Sequence, residues 1–497
     1  AVASKVLGSA LDGDANQVYF GGQAYLRELV ENKCADCAHD YGGLIPGTEM
    51  LKSRIRYAME KRQFPLNIVD RVPLVPGLAA WRSQRLFVRR LQSFTLAGDK
   101  HPPAQTFKDR QKSSAKQVMI CGWYGTETLG DKAILGGVLK ATRESLGPID
   151  LTIVSLQPAV SELTATQMPE LQNAFICTVA EGIKLSTAMD LVVFGGGPLM
   201  ALDNLAEMIA IFERAAQHGV PTLMAGCGVG PLGASWHNKA VKRLLEKFSQ
   251  RIYRDEKSRQ LAVELGVKAD TDIVAEDPAF TWLEQKSSSF RPRKHKQVED
   301  LTLIIGLRKW PYSQYAYHLS AAEGELIKDR FEAALIEGLA QLLERFPGVK
   351  ILPFPMCTNH LGGDDRWYYR ELFRKYKNLA DALDYSALSR ELSPDEALNF
   401  FAEADAALTM RFHSLVFALG LGLPCVAIDY TLGCGKVASL AGAHGVPCRS
   451  LLEVDPEFIL EELSTQLKSD HGHAKRAVNI PAASFSSAVA ASLKRLN

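Results

Sequence analysis

Residues 117–135 read QVMICGWYGTETLGDKAIL. An apolar run, Val118 to Ile120, stops in glycine, and after Asp131 the residues Ile134, Leu135, Val138 and Leu139 recur at helical spacing. Strand, glycine loop and helix in that order open an α/β unit. The same writing returns in DLTIVSL (150–156), DLVVFGGGP (190–198), PTLMAGCGVGP (221–231), RIYRDE (251–256) and TDIVAEDPAF (271–280). Continuous apolar runs of this length suit strands covered on both faces of a parallel sheet.

The pattern breaks at EQKSSSFRPRKHKQVED (284–300), which is polar, basic and aperiodic, and it restarts afterwards. LTLIIGLRKW (301–310), an amphipathic stretch from about 322 to 346, VKILPFP (349–355), ADAALTM (404–410) and LPCVAIDY (423–430) form a second series. The expected fold is therefore α/β, with two Rossmann-like doubly wound domains and a mainly helical N-terminal extension. Its expected boundaries are 1–112 for the extension, 113–286 for the first domain, 287–300 for the linker, and 301–497 for the second domain with a C-terminal helix.

Composition narrows the class. The chain has 497 residues, 23% of them charged, and a formal net charge of +1. That gives no overall field to attract nucleic acid. No apolar run reaches the roughly 18 to 20 residues of a spanning helix, and the first twenty residues lack the pattern of an export signal. The chain begins without methionine, so a removed leader stays open. Nine scattered cysteines argue against a disulfide framework and for a reducing compartment. The expected location is the cytoplasm.

The N-terminal extension is locally basic, with ten Lys or Arg over 51–93 against Glu60 and Asp70. Within AAWRSQRLFVRRLQSF (79–94), Arg82, Arg85 and Arg89 fall near one helical face, and Trp81, Val88, Leu91 and Phe94 favour the other. Two readings stay open: peripheral contact of residues 51–94 with an anionic membrane, or a helix packed on its own α/β body with a solvated basic edge.

In doubly wound sheets ligands bind beyond the carboxyl ends of the strands, so candidate site residues are those that follow strands. In the first half these are Gly122, Gly125 and Gly130 with Asp131, then Gly196, Gly197 and Gly228 in two further glycine-dense strand ends, then Arg254. Glycines allow close backbone approach to a ligand, and each loop alone is equally a tight turn, with Asp131 as helix N-cap. The second half supplies Arg308, Arg411 and His413. If the two-residue spacing of Arg411 and His413 lies in extended chain, both side chains point the same way. Three arginines and a histidine in facing halves would make a cationic cleft for a compact anion, because guanidinium forks match carboxylate and phosphate.

Metal chemistry is weakly indicated. Cys34, Cys37 and His39 have partial ligand spacing without a second pair, and Asp364 with Asp365 reads as a turn and helix cap sooner than a magnesium site. The expectation is no metal and no cofactor.

Taken in order, GWYGTETLGDKAIL, DLVVFGGGPL, GCGVGPL, RDEKSRQLAVELGV, EDPAF, GLRKW and LTMRFHSLVFALGLGLPCVAI resemble the polysaccharide pyruvyl transferase family, over about residues 117–465. The resemblance implies a glycosyltransferase-B-like pair of Rossmann-type domains. It also implies transfer of the enolpyruvyl group of phosphoenolpyruvate to a sugar, with a pyruvate ketal as product. It assigns Arg411 and His413 to phosphoenolpyruvate, and matches Arg254, Arg308 and Trp310 to family segments. His413 is the expected acid or phosphate ligand, and Asp131 the expected base on the acceptor hydroxyl. This sequence has Lys132 where many members are acidic, and DYTLGCGK keeps Tyr430 and Lys436 in an altered turn. The acceptor, a saccharide or lipid-linked saccharide, is therefore unspecified. The alternatives are a nucleotide-sugar-dependent glycosyltransferase of the same fold, or a non-enzymatic scaffold.

Overall fold

The computed structural model describes residues 76–97, 114–126, 128–200, 205–230, 232–233, 235–287, 301–316, 319–358, 363–433, 435–468 and 484–496. Cys34, Cys37, His39, the basic stretch before residue 76 and the linker from residue 288 lie outside them. The chain divides into two compact units, residues 73–290 with 479–497, and residues 1–72 with 291–478.

The unit holding residues 73–290 begins with α1 (Pro76–Ala97) and continues through β1 (Lys116–Cys121), α2 (Leu129–Leu146), β2 (Ile149–Ser155), α3 (Pro158–Gln167), β3 (Phe175–Thr178) and α4 (Val179–Leu185). Then come β4 (Leu191–Gly195), β5 (Pro198–Leu199), α5 (Leu205–Gln217), β6 (Thr222–Val229), α6 (Ser235–Leu245), β7 (Gln250–Tyr253), α7 (Glu256–Glu264), β8 (Ile273–Val274) and α8 (Pro278–Ser287). Its strands run in the order β3-β2-β1-β4-β6-β7-β8, all pairs parallel, with the short β5 also on β6. β4 and β6 are buried at every position, as apolar strands sandwiched between helix layers should be. The order reverses beside β1, so β1 and β4 flank the switch point where such sheets bind ligands.

The second unit contains β9 (Thr302–Gly306), α9 (Tyr312–Tyr315), α10 (Ala321–Arg345), β10 (Lys350–Pro353), α11 (Asp365–Lys375), α12 (Pro394–Glu403), β11 (Ala406–Thr409), α13 (Phe412–Gly420), β12 (Cys425–Asp429), α14 (Val437–Ala443), β13 (Cys448–Ser450) and α15 (Pro456–Lys468). Its strand order is β10-β9-β11-β12-β13, again wholly parallel, with the reversal between β9 and β11. α10 and α12 start on reciprocal capping boxes, Ser320 with Glu323 and Ser393 with Glu396.

Three sequence expectations need correction. The C-terminal helix α16 (Phe485–Leu496) does not belong to the second domain: it packs on α2 and β7 of the first unit. There Phe485, Val489 and Leu493 are buried, Phe485 N donates to Glu276 Oε1 at 3.2 Å, and Arg495 Nη1 reaches the Thr271 carbonyl at 2.9 Å. Nor does the boundary at residue 112 hold, because α1 follows the second of its two readings and packs on its own α/β body. Its Phe87 and Leu91 join the first unit's core, and its Arg90 pairs with the buried Glu207 of α5. Finally, Val88 is exposed and Phe87 takes the buried place, because the apolar stripe of α1 follows Phe87, Leu91 and Phe94. Arg85 and Arg89 remain on the exposed side.

Candidate functional site

The carboxyl edge of the second sheet gathers charged side chains from four strand ends. Arg411 follows β11, and its backbone N–H donates to Gly306 O of β9 at 3.0 Å. Arg411 is the extended N-cap of α13 (φ −70°, ψ 133°), so Phe412 is already helical. His413 therefore stands in the first helical turn, and the alternation argument that put both side chains on one side does not apply.

The Arg411 guanidinium grips Asp365 of α11. Nε lies 3.1 Å from both carboxylate oxygens, Nη2 donates to Oδ1 as well, and Nη2 also donates to the Gly363 carbonyl at 2.9 Å. The Asp365 side chain is 1% exposed and that of Arg411 12%. Burial alone would lower the Arg411 pKa, but the Asp365 carboxylate reverses this and the guanidinium stays charged. For Asp365 burial pushes the carboxyl up, against the pull of Arg411, of Arg308 and of the Cys357 N–H, which donates at 2.9 Å. Asp364 caps α11 and is gripped by Arg366, with Nε–Oδ1 at 3.0 Å and Nη2–Oδ2 at 2.8 Å. The cap reading of this acidic pair holds, and its second member doubles as the anchor of Arg411.

Arg308, two residues past β9, lies across Tyr430, the residue after β12. Its Cζ is 5.0 Å from the Tyr430 ring centroid and Nη1 donates to the Tyr430 hydroxyl at 3.3 Å. Arg308 Nε is buried without a hydrogen-bond partner among the described residues, and so is Lys436 Nζ in the turn after β12. Trp310 Nε1 donates to the Tyr430 carbonyl at 2.9 Å, and the Tyr315 ring meets that of Tyr430 edge-on at 5.4 Å. Burial pushes the Tyr315 phenol up, so it stays protonated.

The first unit presents a different edge. Gly196 and Gly197 follow β4 at the switch point with φ of 74° and 76°. A Cβ on Gly196 would lie 1.8 Å from Ile134 Cγ2, and one on Gly197 2.7 Å from Trp123 Cδ1. Packing within the unit thus already demands glycine at both places. Gly228 lies within β6, where its N–H donates to Gly197 O at 3.2 Å. Asp131 is the third residue of α2 and not its N-cap. Thr128 takes that place, and Asp131 Oδ2 accepts from Thr128 N at 2.9 Å and Oγ1 at 2.7 Å. Arg254, after β7, is turned inward, with Nη1 3.1 Å from Asp277 Oδ2 and both side chains 4% exposed. Asp255 caps α7.

Sequence reasoning named Arg308 and Arg411, and Asp365 and Tyr430 in other roles, but not that Asp365 holds Arg411 and Tyr430 holds Arg308. Asp365 lies 46 residues from Arg411, and only the parallel order of β10, β9 and β11 brings them together. Among the described residues no cluster of His, Cys, Asp or Glu could hold a metal ion.

Two parallel, doubly wound sheets with cationic side chains at a carboxyl edge define an α/β protein of the glycosyltransferase-B-like class. The chain belongs to the polysaccharide pyruvyl transferase family, whose model matches residues 85–431, a span that includes every site residue named here except Lys436. Among solved structures, UDP-GlcNAc 2-epimerase from Neisseria meningitidis bound to UDP-GlcNAc aligns with a TM-score of 0.50 and 11% identity, over 76% of this chain and 100% of that one. The UDP-N-acetylglucosamine 2-epimerase from Rickettsia bellii gives 0.49 and 14%, over 77% and 96%. At 11% identity the likeness to the Neisseria meningitidis structure is one of fold. No curated protein matches the sequence.

Proposed function

We propose that the protein moves the enolpyruvyl group of phosphoenolpyruvate to a sugar of a polysaccharide or its precursor, closing a pyruvate ketal and releasing phosphate. The observation that supports this reading is a charge imbalance. Arg411 is neutralised by Asp365, whereas Arg308 makes no ion pair among the described residues, and its Nε is buried without a hydrogen-bond partner there. A buried cationic nitrogen in that condition calls for an anionic ligand. Phosphoenolpyruvate offers a carboxylate and a phosphate.

In this reading Arg308 and Arg411 bind the donor substrate. An acid protonates the methylene carbon, and a sugar hydroxyl adds to the adjacent carbon as it gives up its proton. Phosphate then leaves with the electrons of its C–O bond, and a second hydroxyl closes the ketal. His413 is the proposed acid or phosphate ligand. Asp131 is the proposed base, acting through Oδ1 because Oδ2 is held in the capping box. No cofactor is required.

The acceptor is a saccharide, free or lipid-linked. For a lipid-linked one, residues 51–94 would supply contact with anionic lipid from a cytoplasmic location. The described part of that stretch exposes Arg85, Arg89, Leu86 and Val88. No described helix is long and apolar enough to cross a membrane.

Calorimetric titration of phosphoenolpyruvate into wild type, Arg308→Ala and Arg411→Ala tests the reading, with uridine and guanosine diphosphate titrated separately. Binding by the wild type that both variants lose is the expected result. Nucleotide binding without phosphoenolpyruvate binding would overturn it in favour of a nucleotide-sugar glycosyltransferase. His413→Ala should abolish turnover, and unchanged turnover removes its role.

A further inference from the structure

Arg308 and Arg411 sit at adjacent strand ends, yet they are held by opposite means. Arg411 is fixed by a carboxylate that also cancels its charge. Arg308 is fixed by neutral aromatic groups. Its Cζ lies over the Tyr430 ring and Nη1 donates to the Tyr430 hydroxyl. Tyr430 is 7% exposed and is itself fixed twice. Trp310 Nε1 holds its carbonyl, and the Tyr315 ring abuts its ring edge-on. A cation over an aromatic face is attracted without being neutralised. With Nη1 engaged, the edge formed by Nε and Nη2 is the one left to fork a planar oxyanion pair.

We infer that Tyr430, buttressed by Tyr315, is a positioning residue that orients the Nε edge of Arg308 toward a carboxylate or phosphate while preserving its charge. The inference rests on the reading of this edge as the donor-substrate site, and it adds what determines the arginine's geometry. Because Tyr430 acts through Arg308, removing the hydroxyl should matter only while Arg308 is present.

The experiment is a double-mutant cycle on binding, with Tyr430→Phe, Arg308→Ala and the double variant titrated with phosphoenolpyruvate and with inorganic phosphate. Tyr430→Phe keeps the ring and the fold, so its unfolding midpoint should match the wild type while its dissociation constant rises about ten-fold. Tyr315→Ala, which removes the ring packed edge-on against Tyr430, should raise it about three-fold. The double variant should bind no more weakly than Arg308→Ala alone. Wild-type affinity in Tyr430→Phe, or losses that add in the double variant, would overturn the clamp. If the wild type binds phosphate alone and the cycle holds for phosphate, the donor-substrate reading falls and the clamp stands. If the wild type binds neither anion, both fall.

Discussion

The two sheets obey one topological rule and finish their carboxyl edges in opposite materials. At the β1/β4 switch point the edge is backbone: Gly196 and Gly197 turn with positive φ, closely overlaid by Ile134 and Trp123. At the β9/β11 switch point it is side chain, with Arg308 and Arg411 held by Tyr430 and Asp365. A backbone edge is specified by sterics and tolerates no added atom. A side-chain edge is specified by electrostatics and can be rearranged by changing one partner. The fold therefore places a site without dictating its chemistry.

The sharpest way to break this contrast is Arg411→Ala. Removing one partner of a buried ion pair should cost about 3–5 kcal/mol in urea unfolding at neutral pH, together with the binding of phosphoenolpyruvate. The sign with pH is fixed. Asp365 already has its carboxyl pushed up by burial, and losing Arg411 pushes it further above an unfolded value near about 3.9. The folded variant then holds the proton more tightly than the unfolded chain. Its deficit relative to wild type should be greatest above that raised pKa and shrink as pH falls through it. A deficit that grew on acidification would contradict the assignment.

Gly196→Ala tests the other material. With φ at 74° and Ile134 in the way, it should cost about 2–3 kcal/mol by the same measurement, although the residue is small and uncharged. Leu91→Ala asks whether α1 belongs to the first unit's core. A loss of about 2 kcal/mol is expected there, against less than about 0.5 for the exposed Val88→Ala. A comparably small effect belongs to the second unit's surface. Arg390 and Glu396 form an exposed pair in which Arg390 pulls the carboxyl down to about 2. Solvent screening should hold the cost of Arg390→Ala to about 0.5 kcal/mol. That contribution is complete above the unfolded carboxylate pKa and vanishes as pH falls through about 2. Equal losses from this pair and from Arg411–Asp365 would erase the distinction between buried and screened charge.

Most of the architecture was legible because parallel central strands must be apolar on both faces, and that leaves a mark in DLVVFGGGP and LTLIIGL. The strands that escaped notice are β3, β5 and β13, short pieces in which half-burial or brevity leaves no apolar run. The same rule found Arg308 and Arg411, since it points to whatever follows a strand. It could not pair Asp365 with Arg411, because Asp365 comes from a helix start and is joined to Arg411 only through tertiary order. It also misjudged Arg411 and His413, because an extended pair and a helix start look alike when the flanking residues are apolar. The C-terminal helix was misassigned for a related reason: its apolar stripe shows that it packs, not on what.

That last feature bears on how the molecule comes into being. The first unit is assembled from residues 73–290 and from a segment beginning at residue 479, so almost two hundred intervening residues must be synthesised before Phe485 can reach its place beside α2. During translation the second unit has all of its sheet available while the first still waits for its closing helix. Nascent chains stalled short of residue 485 should therefore carry a protease-sensitive surface on α2 that vanishes once α16 emerges, so that the first unit, begun earlier, is completed later.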